Sequence, residues 1–156
     1  MTPHQAFAPY DWTAILRLIQ QAFASMDGRI DPPSSMRALT VAAIAEQAQK
    51  GEVWVIGAPA VACMFLTPKG HALYLGKLAV AASHRGKGLA RVLVDVADAR
   101  ARVLGLPVLE LQTRVELVEN HATFRALGFV EVGHSAHPGY DRPTSLTFQR
   151  PVRAAN

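Results

Sequence analysis

A run of β-prone residues, Leu73-Tyr74-Leu75-Gly76-Lys77-Leu78-Ala79-Val80, is followed a few positions later by the turn Arg85-Gly86-Lys87-Gly88-Leu89-Ala90. Apolar residues at helical spacing come next: Leu89, Val92, Leu93, Val96 and Val103, with Gly105 and Pro107 beyond them. This pattern predicts a helix over 88–104. A strand that passes through a glycine-rich turn into a helix leaves backbone N–H groups free at the helix start, where the helix dipole also favours negative charge. Gly86 and Gly88 matter because a side chain at either place would hold an anion away from the backbone. Arg85 and Lys87 add cationic donors at the rim. Taken alone, the same turn is explained equally well as a helix cap with some surface charge.

The rest of the chain supplies the context. Ile15, Leu16, Ile19, Ala22, Phe23 and Met26 repeat at helical intervals behind Asp11, which predicts a capped helix over 11–25. The segment Asp27 to Ser35, with Gly28, Pro32 and Pro33, breaks it. A second helix is expected over 36–50, burying Leu39, Val41, Ile44, Ala45 and Ala48 and ending at Gly51. From Glu52 the period changes. Runs at 53–56, 61–66 and 73–80, separated by Gly and Pro, predict a meander of three antiparallel strands. After helix 88–104 a strand is expected over 108–113, a short helix over 117–127 ending at Gly128, and a strand over 129–132. The last apolar run, 145–148, reads as an edge strand ended by Pro151. A meander followed by alternating strands and helices indicates an α/β (α+β) mixed sheet with helices on its faces, in one domain spanning 1–156.

Charge and cysteine usage narrow the function. Sixteen Lys and Arg against twelve Asp and Glu give a net charge of +4, a modest surplus that suits an anionic ligand. The cations are scattered apart from 85–91 and 100–102, without the single stripe of a nucleic-acid footprint, so no nucleic-acid partner is expected. Cys63, in the apolar run Ala60 to Leu66, is the one cysteine; it excludes an internal disulfide, fits a reducing compartment and reads as a packing residue. No basic-then-apolar leader and no membrane-length apolar stretch is present, so a cytoplasmic protein with no membrane partner is expected.

The turn is neither of the common nucleotide loops. A dinucleotide-binding turn would need a small residue where Arg91 stands, and an acidic end to the next strand, which instead ends Thr113-Arg114. A Walker-type loop would end in Gly-Lys-Ser or Gly-Lys-Thr. What the turn resembles is the cofactor signature of the GCN5-related N-acetyltransferase (GNAT) family: Arg or Gln, two free positions, Gly, one free position, then Gly or Ala. Arg85, Gly88 and Ala90 match it, with Leu78-Ala79-Val80 in the place of the family's fourth strand. Leu109-Glu110-Leu111 resembles the fifth strand, and Phe124-Arg125-Ala126-Leu127-Gly128-Phe129 the end of the fourth helix. The similarity covers roughly 72–132; the first half fits by order of elements.

This resemblance implies a GNAT fold: about seven strands in a central sheet, roughly four helices, and fourth and fifth strands that splay apart. It implies acetyl-CoA as co-substrate, with Leu78, Ala79 and Val80 bonding the pantetheine arm and Arg85, Gly86, Lys87, Gly88, Leu89 and Ala90 holding the pyrophosphate. The implied reaction is direct attack on the thioester by a primary amine of a small molecule or peptide, with no covalent enzyme intermediate. A non-catalytic CoA-binding module of the same fold is the alternative.

Several family positions are filled differently. The tyrosine that protonates the departing thiolate in many members corresponds to Phe124, which has no proton to give. Glutamate bases used by some members correspond by count to Gln112 and Tyr74. Glu110 shares a strand face with Gln112 and could act as base through a water, or be a strand carboxylate paired with a cation. Tyr140 could serve as acid, or be a loop tyrosine. The usual asparagine falls at Leu117, so Asn120 either reaches the pantetheine one turn later or caps the helix; Glu119 and His121 could assist it or simply belong to a solvated helix start. In the loop expected to line the acceptor site, Arg29 could hold a carboxylate and Asp27 or Asp31 attract an amine. His134 and His137, three apart near a strand end, would point to opposite faces, so no metal is expected. An edge strand makes a homodimer feasible without establishing one.

Overall fold

The computed structural model describes residues 2–155. Seven strands form one sheet in the order β1-β2-β3-β4-β5-β7-β6. They are β1 (Pro3–Gln5), β2 (Glu52–Ile56), β3 (Ala62–Lys69), β4 (Ala72–Val80), β5 (Val108–Arg114), β6 (Val130–Ser135) and β7 (Ser145–Pro151). Four α-helices accompany them: α1 (Trp12–Phe23), α2 (Val41–Lys50), α3 (Leu89–Leu104) and α4 (Val118–Ala126). Every neighbouring pair is antiparallel except β4 and β5 at the centre, which are parallel. This is the mixed sheet expected from the alternation of elements, with the meander β2-β3-β4 in place.

Both faces of the sheet are apolar, and each receives helices. On one face Leu93, Val94, Ala97 and Ala101 of α3 pack with Leu73, Leu75, Leu109, Leu111 and Phe148, all buried. On the other, Ile15, Leu18 and Ile19 of α1 and Ile44 of α2 meet Val53, Val55, Cys63 and Phe65. Burial of each such aliphatic side chain contributes about 1.5–3 kcal/mol. Cys63 sits wholly inside this second layer, its Sγ 3.5 Å from the Lys77 carbonyl, and burial pushes its thiol up to about 12. It should therefore resist a thiol-specific reagent in the native protein and react on addition of denaturant; rapid labelling without denaturant would contradict this burial.

Helix boundaries follow local capping. The Asp11 carboxylate accepts from the Ala14 amide, and Thr40 Oγ1 from the Ala43 amide. The second helix therefore starts at Val41, later than the expected 36. Ser34 caps a separate short turn of 3₁₀ helix at Ser35–Ala38, and Val41, at the helix start, is exposed instead of buried. Val103 is likewise exposed, because the apolar stripe of α3 runs through Val94, Ala97 and Ala101. The short β1, which pairs with β2 over three residues, has too little length to register as a period.

One strand lies elsewhere than expected. The last apolar run is an inner strand: β7 pairs with β5 along its whole length and with β6 on its other side. Pro151 is tolerated because it stands at the final ladder position, opposite Val108. The edge on this side of the sheet is β6, where Val130 and Val132 are exposed.

A buried ion pair ties the far end of the sheet to α3. Arg150 of β7 bonds Asp98 through Nη2 and donates from Nη1 to the Leu127 carbonyl at 3.0 Å, while the Arg153 amide reaches the other Asp98 oxygen at 3.1 Å. Arg150 also lies over the Phe129 ring, 5.2 Å from its centroid.

Candidate functional site

The parallel ladder between β4 and β5 is short. It consists of Ala72 with Val108, Leu73 with Leu109 and Tyr74 with Glu110. Beyond it β4 continues to Val80 and β5 to Arg114 without pairing to each other, while each keeps its antiparallel partner on the outside. The wedge thus exposes strand edges whose N–H and C=O groups lack a sheet partner. It holds a cavity of about 260 Å³. Residues 74–78 line it from β4 and residues 111–114 from β5; Asn120 and Phe124 of α4 contribute, and Met26, Ile30 and Met36 cover it from the α1–α2 connection.

β4 is irregular where it lines the wedge. Cys63 pairs with Ala79 and Phe65 with Gly76, so β4 carries one extra residue against β3. Lys77 takes up this bulge at φ 51°, the one non-glycine with positive φ among the described residues. Burial lowers the proton affinity of its amine. Beside it, burial raises the Tyr74 phenol, and the nearby Glu110 charge adds to the rise.

At the far end of β4 the chain makes a short 3₁₀ turn, Ala82–His84, and enters the Arg85–Ala90 segment. Gly86 and Gly88 adopt φ of +76° and +78°, and a Cβ built on either would meet nothing within 4 Å. Gly88 is the N-cap of α3 without a side-chain cap, so the first-turn N–H groups face open space. The turn therefore has the room and the free donors that an anionic group requires. Its residues do not line the cavity themselves; they stand where β4 delivers the chain past it.

The other sequence candidates distribute unevenly. Asn120 and Phe124 both line the cavity, with Phe124 packed against Phe129 and Phe148 at ring separations of 6.1 and 6.5 Å. Glu110 does not line it: its carboxylate lies 3.4 Å from Lys69 Nζ and accepts from Gln149 Nε2 at 3.0 Å. Tyr140 and Asp31 come together outside the lining, and Arg29 lies outside it on a separate ion pair. Tyr140 Oη donates to Asp31 Oδ1 at 2.5 Å, Arg142 approaches the same carboxylate at 3.5 Å, and Arg29 pairs with Glu119 at 2.7 Å. The bond to Asp31 holds the Tyr140 proton in place, raising its pKa. These contacts fasten the α1–α2 connection to α4 and to the β6–β7 loop.

His121 is buried rather than solvated, with Nε2 2.9 Å from the Arg114 carbonyl and its ring against Phe148. His137 is anchored to Thr144 through its amide at 2.9 Å and Nδ1 at 2.5 Å, and it lines the cavity. Among the described residues no group of three His, Cys, Asp or Glu could hold a metal ion, and no helix is long and apolar enough to cross a membrane.

Two cationic lining residues escaped the sequence reading: Lys77 and Arg114. A glycine inside a β-prone run, Gly76, is the signal that marks a bulge and could have drawn attention to Lys77. Arg114 carried no local signal, since its place follows from the wedge.

Residues 13–129 match the model of the acetyltransferase (GNAT) family. None of the curated proteins matches the sequence. The chain is similar in structure to the ribosomal-protein-S18-alanine N-acetyltransferase from Escherichia coli, at TM-score 0.71 and 19% identity over 99% of this chain and 96% of that one. It is also similar to Ard1 from Thermoplasma volcanium, at TM-score 0.72 and 16% identity over 99% and 100% of the two chains. An acetyltransferase of the GNAT family from Staphylococcus aureus Mu50 superposes at TM-score 0.73 with 13% identity over 97% and 99%. At these identities the structures establish a common fold.

Proposed function

Because the chain belongs to the GNAT family of acetyl-CoA-dependent N-acetyltransferases, we propose that it acetylates a primary amine of a small molecule or peptide, with the donor laid in the β4–β5 wedge. Acetyl-CoA supplies an acetyl group activated as a thioester. The wedge carries this reading, since it leaves a strand edge at Leu78, Ala79 and Val80 that can bond the amides of a pantetheine arm. Arg85, Gly86, Lys87, Gly88, Leu89 and Ala90 receive the pyrophosphate through free N–H groups and two cations. Asn120 and Phe124 border the arm from α4.

Catalysis on this reading rests on placement. The cavity joins the wedge to the covering residues Met26, Ile30 and Met36, so an amine entering beneath them meets the thioester carbon directly. No aspartate or glutamate lines the cavity. As the C–N bond forms, the amine passes its proton to water or to the His137 imidazole; the C–S bond breaks and the CoA thiolate leaves, taking a proton from water or from the Tyr74 hydroxyl in the same lining. Glu110, engaged by Lys69 and Gln149, and Tyr140, engaged by Asp31, act on this reading by holding the frame.

Calorimetry with CoA, together with thiol release from acetyl-CoA over a panel of primary amines, tests the proposal. Saturable CoA binding and amine-dependent thiol release are expected. A folded protein that does not bind CoA would refute it.

A further inference from the structure

The cavity carries two cationic residues, Lys77 and Arg114, and no acidic one. Four neighbouring carboxylates are engaged by other groups, Glu110 by Lys69, Asp31 by Tyr140 and Arg142, Glu119 by Arg29 and Asp27 by Arg37, while Glu116 accepts the Asp31 amide at 3.0 Å, keeps its other oxygen buried and does not line the cavity. Among the described residues no ion pair involves Lys77 or Arg114. Arg114 uses Nη2 on the Pro32 carbonyl, while its Nε is buried without a hydrogen-bond partner.

The backbone makes this arrangement deliberate in physical terms. Lys77 stands at a positive φ that disfavours a side chain, inside a strand whose neighbours are apolar. A desolvated ammonium with no counter-charge is costly to hold, and so is a buried guanidinium nitrogen without an acceptor. An anion bound in the cavity would supply the counter-charge that neither cation finds in the lining. The remaining lining is mixed, and Phe23, Met26, Ile30 and Met36 form its apolar side on α1 and the α1–α2 connection. That apolar side accommodates a hydrocarbon side chain, while the two cations disfavour a polycation.

We propose that the acceptor is an amino acid with an apolar side chain, its carboxylate held by Lys77 and Arg114 and its amine presented to the wedge. The proposal rests on the acetyl-transfer reading above and names its substrate class. Arg114 offers the planar donor set that suits a carboxylate, and Lys77 a point charge beside it. Polyamines and aminoglycosides, whose amines carry no anion, meet two like charges here.

The test compares leucine with leucinamide, and phenylalanine with phenylalaninamide, with spermidine as the polycation. Each pair shares its side chain and differs at the carboxylate, and the amide has the more readily deprotonated amine. Thiol release should favour the acids in kcat/KM by about tenfold or more, the worth of one charge-assisted hydrogen bond. Lys77→Met should bring the ratio to within about threefold, while Lys77→Arg retains it. N-acetyl-leucine should bind the protein in calorimetry and lose its binding in Lys77→Met. Amides or spermidine equal to the acids, or a ratio unmoved by Lys77→Met, overturns the proposal. So does thiol release with none of the acids; CoA binding, measured separately, decides whether the acetyl-transfer reading falls with it.

Discussion

Asp98→Ala should destabilise the protein by about 3–5 kcal/mol, because it strands a buried guanidinium without its partner. Arg150 and Asp98 are 4% and 3% exposed, so water cannot replace the lost bond. The Arg150 Nε is already without an acceptor, and the substitution would leave Nη2 in the same state. Arg150 would still donate to the Leu127 carbonyl, which keeps it inside and makes the loss larger. The Arg153 amide also loses its acceptor. Urea unfolding followed by circular dichroism measures the change, and a thermal midpoint lower by the order of 10 °C should accompany it. Combining Asp98→Ala with Arg150→Met should cost less than the sum of the two single changes, as expected when the second removes the uncompensated charge. A single-variant loss below about 1 kcal/mol would show that the pair contributes no more than a surface one.

Gly88→Ala should weaken CoA binding by roughly ten- to 150-fold, the loss of one or two charge-assisted hydrogen bonds. The residue has φ +78°, and its would-be Cβ meets no protein atom within 4 Å. The methyl therefore enters the open space before the α3 amides, where the pyrophosphate is proposed to lie. A left-handed alanine also strains the backbone by about 1–2 kcal/mol, so a matched control is needed. Gly105 caps the other end of the same helix at φ +72°, and its would-be Cβ is equally uncrowded. Gly105→Ala should show the same loss of stability with CoA affinity intact. Equal CoA affinity in the two variants would remove the turn from the donor site.

The parts of this fold that could be read from the sequence are those set by neighbours along the chain. The α3 boundaries followed from Gly88, Gly105 and the apolar spacing, and the meander from short β-prone runs between turns. What could not be read depends on distant pairing. β7 has the look of an edge strand because Pro151 ends it, yet its ladder with β5 and β6 is a property of the sheet order. Arg29, Asp31 and Tyr140 were attractive as polar groups in loops, and the fold sets all three in contacts with one another's surroundings. Lys77 was hidden by its apolar neighbours. Its exposure to the cavity comes from a one-residue bulge that depends on the register with β3.

The sheet is in effect two antiparallel leaves, β1 to β4 and β5 with β7 and β6, stitched along a seam of three residue pairs. A seam so short leaves most of both strands unpaired toward each other. Helix α3 spans it, packing on Leu73 and Leu75 of one leaf and on Leu109 and Leu111 of the other, so the leaves share one core and part only beyond the closed end of the wedge. Lys69 sits there, 3.4 Å from Glu110 and over the Tyr74 ring at 5.1 Å, while Glu110 in turn grips Gln149. These contacts clamp the seam: they join the two leaves where their ladder runs and leave the unpaired lengths of β4 and β5 to the cavity.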